Sequence, residues 1–229
     1  MKLYRPLWIR DIIIILLLIV SSTAVFHAFN IDIAVEQIFY KNGQWVLQEN
    51  KIVRALYDYG PWPSFITVIG AIIAFTVSYF KRSIKKYRIY LIYLTLVLLL
   101  GPGLIVNGIL KLQCGRPRPV EIKEFGGKKD FLPVLVKGKS KMGRSFTCGH
   151  CSSGYFFVAF YFIFKRKKFW LSVVLLLIGI IYGSAIGVAR MATGGHFPSD
   201  MFWSFFVVFS TALVIYYFLL KIPQIEDSL

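Results

Sequence analysis

Three short polar clusters gather the residues of this chain that could do chemistry: Lys111 to Pro119, Cys148-Gly149-His150, and Arg190 to Asp200. They hold the cations Lys111, Arg118 and Arg190, the carboxylate Asp200, and two of the three histidines, His150 and His196. Cations grip phosphate oxygens, one imidazole can attack phosphorus, and a second can protonate the leaving alkoxide. That is the inventory for cleaving a phosphate ester through a phosphohistidine.

Each cluster has a physical logic. Lys111 and Arg118 flank Gly115-Arg116-Pro117, which cannot continue a regular helix. An arginine fork grips two oxygens and lysine adds a point charge. From spacing alone Arg116 rivals Arg118, and interfacial snorkelling explains either cation without a ligand. In the second cluster Gly149 permits close backbone approach where an apolar helix begins, and backbone N–H groups there suit an anion. His150 is placed to hand over a proton. In the third, Asp200 follows His196 by four residues, close enough to fix its tautomer and leave the other nitrogen free to attack. Asp200 also reads as an N-cap of the last helix.

The elements that must position these groups are apolar. The chain is 57% hydrophobic, with a mean hydropathy of +0.64, too apolar for an ordinary soluble domain. Six segments approach the length of about 20 residues that crosses a bilayer: about 11–29, 62–80, 89–110, 149–164, 169–189 and 199–220. The first reads as an uncleaved span rather than a signal peptide, because five more follow. An all-α, polytopic bundle of about six transmembrane helices in a single domain, 1–229, is expected. Gly101-Pro102-Gly103 should kink or loosen the third span. The amphipathic pieces around Ile33, Val35, Ile38 and Phe39 suit the interface plane, and Trp45 and Trp62 an aromatic belt. His27 reads as structural.

Charge orients the bundle. Lys81 to Arg88, Lys165 to Lys168, and Lys2, Arg5 and Arg10 face the cytoplasm by the positive-inside rule, which places both termini there and all three clusters outside. The loop 111–148 strains this, with ten Lys/Arg against three Asp/Glu. Long loops weigh less in the rule, and a phosphate site needs cations of its own. Much of the net charge of +16 is thus shared between anionic headgroups and an anionic substrate. Nucleic acid is not an expected partner.

The three clusters resemble the signatures of the type 2 phosphatidic acid phosphatase (PAP2) superfamily. Lys111-Leu-Gln-Cys-Gly-Arg-Pro-Arg118-Pro119 matches the family's Lys, six residues, Arg-Pro in full, and selects Arg118 over Arg116. Thr147-Cys148-Gly149-His150 matches Pro-Ser-Gly-His at Gly and His only. Ala189-Arg190, five residues, His196, three residues, Asp200 lacks only the leading Ser. The resemblance implies His196 as nucleophile, Asp200 as its orienting partner and His150 as general acid. Lys111, Arg118 and Arg190 would hold the phosphoryl group beside the Cys148-Gly149 backbone. It implies no metal and no cofactor. Cys148 replaces a serine, and a thiol donates only weakly. Two of Cys114, Cys148 and Cys151 could pair in an oxidising compartment.

A membrane-embedded site favours an anionic amphiphile. The lysine-rich stretch around Glu124-Phe125-Gly126-Gly127 resembles the elaborated loops of PAP2 members that dephosphorylate lipid A, so the expectation is a lipid A phosphatase of a bacterial inner membrane. Its substrate alternatives are phosphatidylglycerophosphate, phosphatidic acid and undecaprenyl pyrophosphate. A lipid-to-lipid phosphotransferase would use the same phosphohistidine. The non-enzyme alternatives are a lipid-binding protein and a transporter, and a transporter would need polar or broken features within the spans, of which few are present.

Overall fold

The computed structural model describes residues 5–139 and 142–228, so Lys2, Lys141 and the side chain of Arg5 fall outside what can be placed. Among the described residues five helical segments are long and apolar enough to cross a membrane: Trp8–Phe29, Lys51–Val77, Arg82–Gln113, Phe169–Met191 and Pro198–Leu219. The expected fourth span is shorter and broken. It runs as α7 (Gly149–Tyr155), a 3-10 turn (Phe156–Val158) and α8 (Ala159–Phe164). Preceding these are α1 (Arg5–Phe29), α2 (Ile31–Phe39), α3 (Lys51–Tyr59), α4 (Trp62–Val77), α5 (Arg88–Leu98) and α6 (Lys111–Gln113). After them come α9 (Phe169–Met191), α10 (Pro198–Val214) and α11 (Ile222–Asp227). A two-stranded hairpin, Tyr40–Lys41 with Gln44–Trp45, makes the only sheet among the described residues. The chain is an all-α polytopic bundle.

The core is built from α5, the α7–α8 segment, α10 and the π-helical turn Ile215–Leu219 that continues it, whose Tyr93, Val97, Phe156, Phe162, Phe206 and Tyr216 are buried together. Helix α4 packs on α5, α9 on α7 and α8, and α1 on α10. Leu, Ile and Val on the outer faces, such as Leu17, Ile66 and Ile181, are exposed, as lipid-facing side chains must be.

The third span is loosened where its Gly-Pro-Gly lies. Residues Leu99–Leu110 form a π-helix containing Pro102, which has no N–H to give the ladder. Asn107 Nδ2 donates to the Pro102 carbonyl at 2.7 Å, a side-chain bond added to the irregular ladder. The same Asn107 amide lies against Gly149, where any side chain would collide with it. The irregular third span thereby seats the turn that opens α7.

The two ends of the bundle differ. At one end Lys165 pairs with Asp11, Arg166 Nη1 meets Glu226 Oε2 at 2.9 Å, and Lys167 Nζ bonds the Tyr90 hydroxyl at 2.8 Å. These contacts tie α1, the start of α5, the α8–α9 loop and α11 together. At the other end converge the end of the third span, the start of α7, the end of α9 and the start of α10.

Candidate active site

The first polar cluster leaves helix at once. Gly115 takes a positive φ of 63°, and Arg118 is extended at φ −82°, ψ 160°. Pro119 opens a 3-10 turn whose Glu121 carboxylate accepts the Arg118 N–H at 2.8 Å. Val120 N–H then donates to the Gly194 carbonyl at 3.1 Å, and Ser145 N–H to the Arg116 carbonyl at 3.0 Å. Two backbone bonds thus tie the segment carrying the first cluster to the turn of the third and to Ser145, three residues before the second. Lys111, Arg118 and His150 are half-buried, while Arg190 and His196 are buried. Arg144, not singled out from sequence, belongs to this group, since it, Arg118 and Arg190 all act on the Lys111 charge.

Among the described residues Lys111, Arg118, Arg144 and Arg190 make no salt bridge. Four like charges that no carboxylate pairs repel one another, and burial costs Lys111, Arg118 and Arg190 part of their hydration, while Arg144 is exposed. Such an arrangement is completed by an anion. Arg190 Nε and Thr147 Oγ1 are buried without a hydrogen-bond partner and remain free for one. A cleft of about 500 Å³ opens onto Arg118 and Arg190, walled by Arg54, Tyr57, Asp58 and Thr193. Tyr57 was not anticipated. Its ring lies 4.1 Å beneath the Arg190 guanidinium and 5.2 Å from the His150 ring, so one side chain from α3 braces two groups of the site.

His196 sits in the turn between α9 and α10. A side chain at Gly195 would collide with the Arg190 guanidinium, so the turn presses its backbone onto that cation. The His196 Nδ1 lies 2.6 Å from the Ser145 carbonyl. A carbonyl can only accept, so Nδ1 carries the proton and Nε2 keeps its lone pair. Asp200 Oδ2 is 3.7 Å from that nitrogen, beyond hydrogen-bond reach. It accepts instead from Ser145 Oγ at 2.5 Å and from Phe197 N–H at 2.9 Å. The expected direct bond between Asp200 and His196 is thus relayed through Ser145, and Asp200 also caps α10. Burial pulls the His196 imidazole down to about 4, outweighing the pull of Asp200 the other way.

Arg116, the rival cation, turns away from the phosphate side. It is 1% exposed and bonds Asp200 Oδ1 at 2.6 Å and Asp32 Oδ2 at 2.7 Å. Cys148 pairs with Cys151 in a disulfide, and Cys114 is free. The weak thiol donor expected at Cys148 is therefore absent, and only its backbone is left for phosphate. Helix α2 buries its acids Asp32 and Glu36 rather than an apolar stripe. Trp45 packs on Tyr40 and Phe125, whereas Trp62 is exposed.

The loop's cations are partly spent within it. Lys123 pairs with Asp130 at 2.5 Å, and Lys129 with Glu121 at 2.8 Å. Ile122 and Phe125 bury against Phe197, which docks the loop beside the His196 turn.

The chain is 34% identical over 156 residues to a lipid A 4′-phosphatase of Francisella tularensis subsp. novicida, covering 67% of this chain and 69% of that one. Lipid A 4′-phosphatases of Rhizobium leguminosarum and Rhizobium etli are 34% and 35% identical over 123 residues, and the chain spans about half of their length. No solved structure matches. The model of the PAP2 superfamily matches residues 90–223, which include all three clusters; with the site assembled from those clusters, the chain belongs to the PAP2 superfamily.

Proposed function

We propose that this membrane phosphatase removes the 4′-phosphate of lipid A at the periplasmic face of a bacterial inner membrane, through a phosphohistidine on His196. The observation that carries the reading is the group of four cations that no carboxylate pairs, beside a neutral imidazole whose Nε2 is free. Lys111, Arg118 and Arg190 hold the equatorial oxygens of the phosphate. Nε2 of His196 attacks phosphorus, the ester P–O bond breaks, and His150, kept protonated by the phosphate anion beside it, gives its proton to the departing sugar oxygen. Water then attacks phosphorus, giving its proton to His150 as the P–N bond breaks, which releases phosphate and restores Nε2. The ring carries a positive charge while phosphorylated, and the Ser145 carbonyl, backed by Asp200, stabilises it.

The relatives' substrate supports lipid A, and the exposed Lys128 and Lys139 add cations suited to a headgroup with more than one phosphate. The cationic segments 81–88 and 165–168 at the opposite end support an outward-facing site. The test is phosphate release by the detergent-purified protein from lipid A, phosphatidic acid, phosphatidylglycerophosphate and undecaprenyl pyrophosphate, beside His196→Ala. Preferred release from lipid A at the 4′ position, abolished in the variant, is expected. Equal release from a singly headed phospholipid would overturn the substrate, and full activity in His196→Ala would overturn the mechanism.

A further inference from the structure

We infer that Asp32 and Arg116 are positioning residues for the phosphatase reaction, which hold Asp200, and through it Ser145 and His196, from behind. The inference rests on the reading of His196 as nucleophile. Asp32 lies on α2, in the loop between the first two spans and outside residues 90–223 matched by the family model.

The Arg116 fork is used on every side. Nε donates to the Leu132 carbonyl at 2.9 Å, Nη1 to Asp200 Oδ1 at 2.6 Å and to Ser199 Oγ at 2.8 Å, and Nη2 to Asp32 Oδ2 at 2.7 Å. The Phe197 ring covers its face at 4.5 Å. Asp32 in turn accepts the Ser199 backbone N–H at 2.9 Å and the Ser199 hydroxyl at 2.7 Å. It therefore grips both the guanidinium and the first turn of α10. Asp200 is left no freedom: Arg116 holds Oδ1, while Ser145 Oγ and Phe197 N–H hold Oδ2. Lysine could not replace Arg116, because the planar fork meets two carboxylates and a carbonyl in one plane.

Charge explains why two carboxylates are needed. Arg116 alone would neutralise Asp200 and leave the imidazole without a negative partner once it becomes cationic. Asp32 restores one net negative charge behind His196. The third acid, Glu36, is buried with both oxygens unpartnered. Burial first, then repulsion from Asp200 and Asp32, pushes its carboxyl up to about 10, so it stays neutral and leaves that balance intact.

The experiment is a double-mutant cycle on the full-length protein in detergent, with the His196 tautomer read by nitrogen-15 spectra of labelled histidine. Assignment uses His27→Gln and His150→Gln. Asp32→Asn is expected to lower kcat about 10-fold with KM within about twofold, and to shift His196 away from its single Nδ1–H tautomer. In an Asp200→Asn background the same change should cost less than about threefold, because both act through one carboxylate. Ser199→Ala, a milder cut in the same network, is expected to lower kcat about threefold and serves if Asp32→Asn does not fold. Losses that multiply in the double variant, or wild-type kcat and tautomer in Asp32→Asn and Ser199→Ala, would overturn the inference. Should the wild type release phosphate from none of the lipids, the proposed function fails separately. The tautomer in the variants still decides the positioning role.

Discussion

The imidazole of His196 is oriented by the backbone carbonyl of Ser145, 2.6 Å from Nδ1, and not by the carboxylate of Asp200, which stands 3.7 Å away. Asp200 instead fixes Ser145, accepting its hydroxyl at 2.5 Å. A carboxylate behind a carbonyl keeps the Nδ1–H tautomer without sharing its proton, and the nucleophilic lone pair stays on Nε2.

Ser145→Ala separates relay from direct contact. It keeps the carbonyl and removes the hydroxyl, so the link to Asp200 breaks while His196 keeps its acceptor. A hydrogen bond to a charged group contributes about 1.5–3 kcal/mol, so kcat should fall about 10- to 100-fold. Wild-type turnover by Ser145→Ala would mean that Asp200 acts on His196 without the serine.

Tyr57 makes a second prediction. Its ring braces Arg190 and His150, and its hydroxyl has no part in that contact. Tyr57→Phe should retain activity within about twofold, whereas Tyr57→Ala should lose about 10-fold in kcat/KM, in keeping with a cation–π contact of about 1–2 kcal/mol. Steady-state kinetics on both variants decide whether the ring or the hydroxyl matters.

The pH profile follows from His196. The attacking imidazole must be neutral, and burial holds it down to about 4. Its nucleophilic form is thus present above that pH, and the acid limb attributable to it should fall near 4 rather than at the ordinary histidine value of about 6.5. Stability carries the same sign. Between 4 and about 6.5 the unfolded chain binds a proton that the folded chain does not, so stability rises with pH across that window. Thermal melts of the wild type and His196→Gln in buffers across it test the slope.

Glu36 has the opposite sign. Its carboxyl stays protonated in the fold up to about 10, whereas the unfolded chain loses that proton near the ordinary value of about 4.3. The folded state therefore binds more protons, and stability falls as pH rises through that window. Glu36→Gln, neutral at every pH, should melt several degrees higher than the wild type at pH 8 and about the same at pH 4. A melting difference that does not depend on pH would contradict a neutral Glu36.

Much of the site was legible because its residues fall at the ends of apolar runs, where few polar side chains occur by default. Lys111, Arg118, His150, Arg190, His196 and Asp200 all lie at the end of the bundle where those spacings placed them, and Pro102 loosens its span as its chemistry requires. What stayed hidden depends on partners remote in sequence. Arg116 finds Asp32 across 84 residues, and Ser145 meets His196 across 51, separations that no local pattern encodes. The acids Asp32 and Glu36, one helical turn apart in a segment whose only other polar residue is Gln37, were the available signal, since both point to the same side. The fourth span was legible as short, but not as broken by its 3-10 turn. The lysines of the 111–148 loop overstated the charge offered to a substrate, because Lys123 and Lys129 are paired within the loop.

The most direct test of the central claim is a rapid-quench reaction of the purified protein with lipid A, followed by mass spectrometry of its histidine peptides. The account predicts a transient, acid-labile phosphate on the peptide carrying His196, absent from His196→Ala. Steady turnover with no phosphate on His196 at any quench time would contradict it, and would mean that water attacks the lipid phosphate directly.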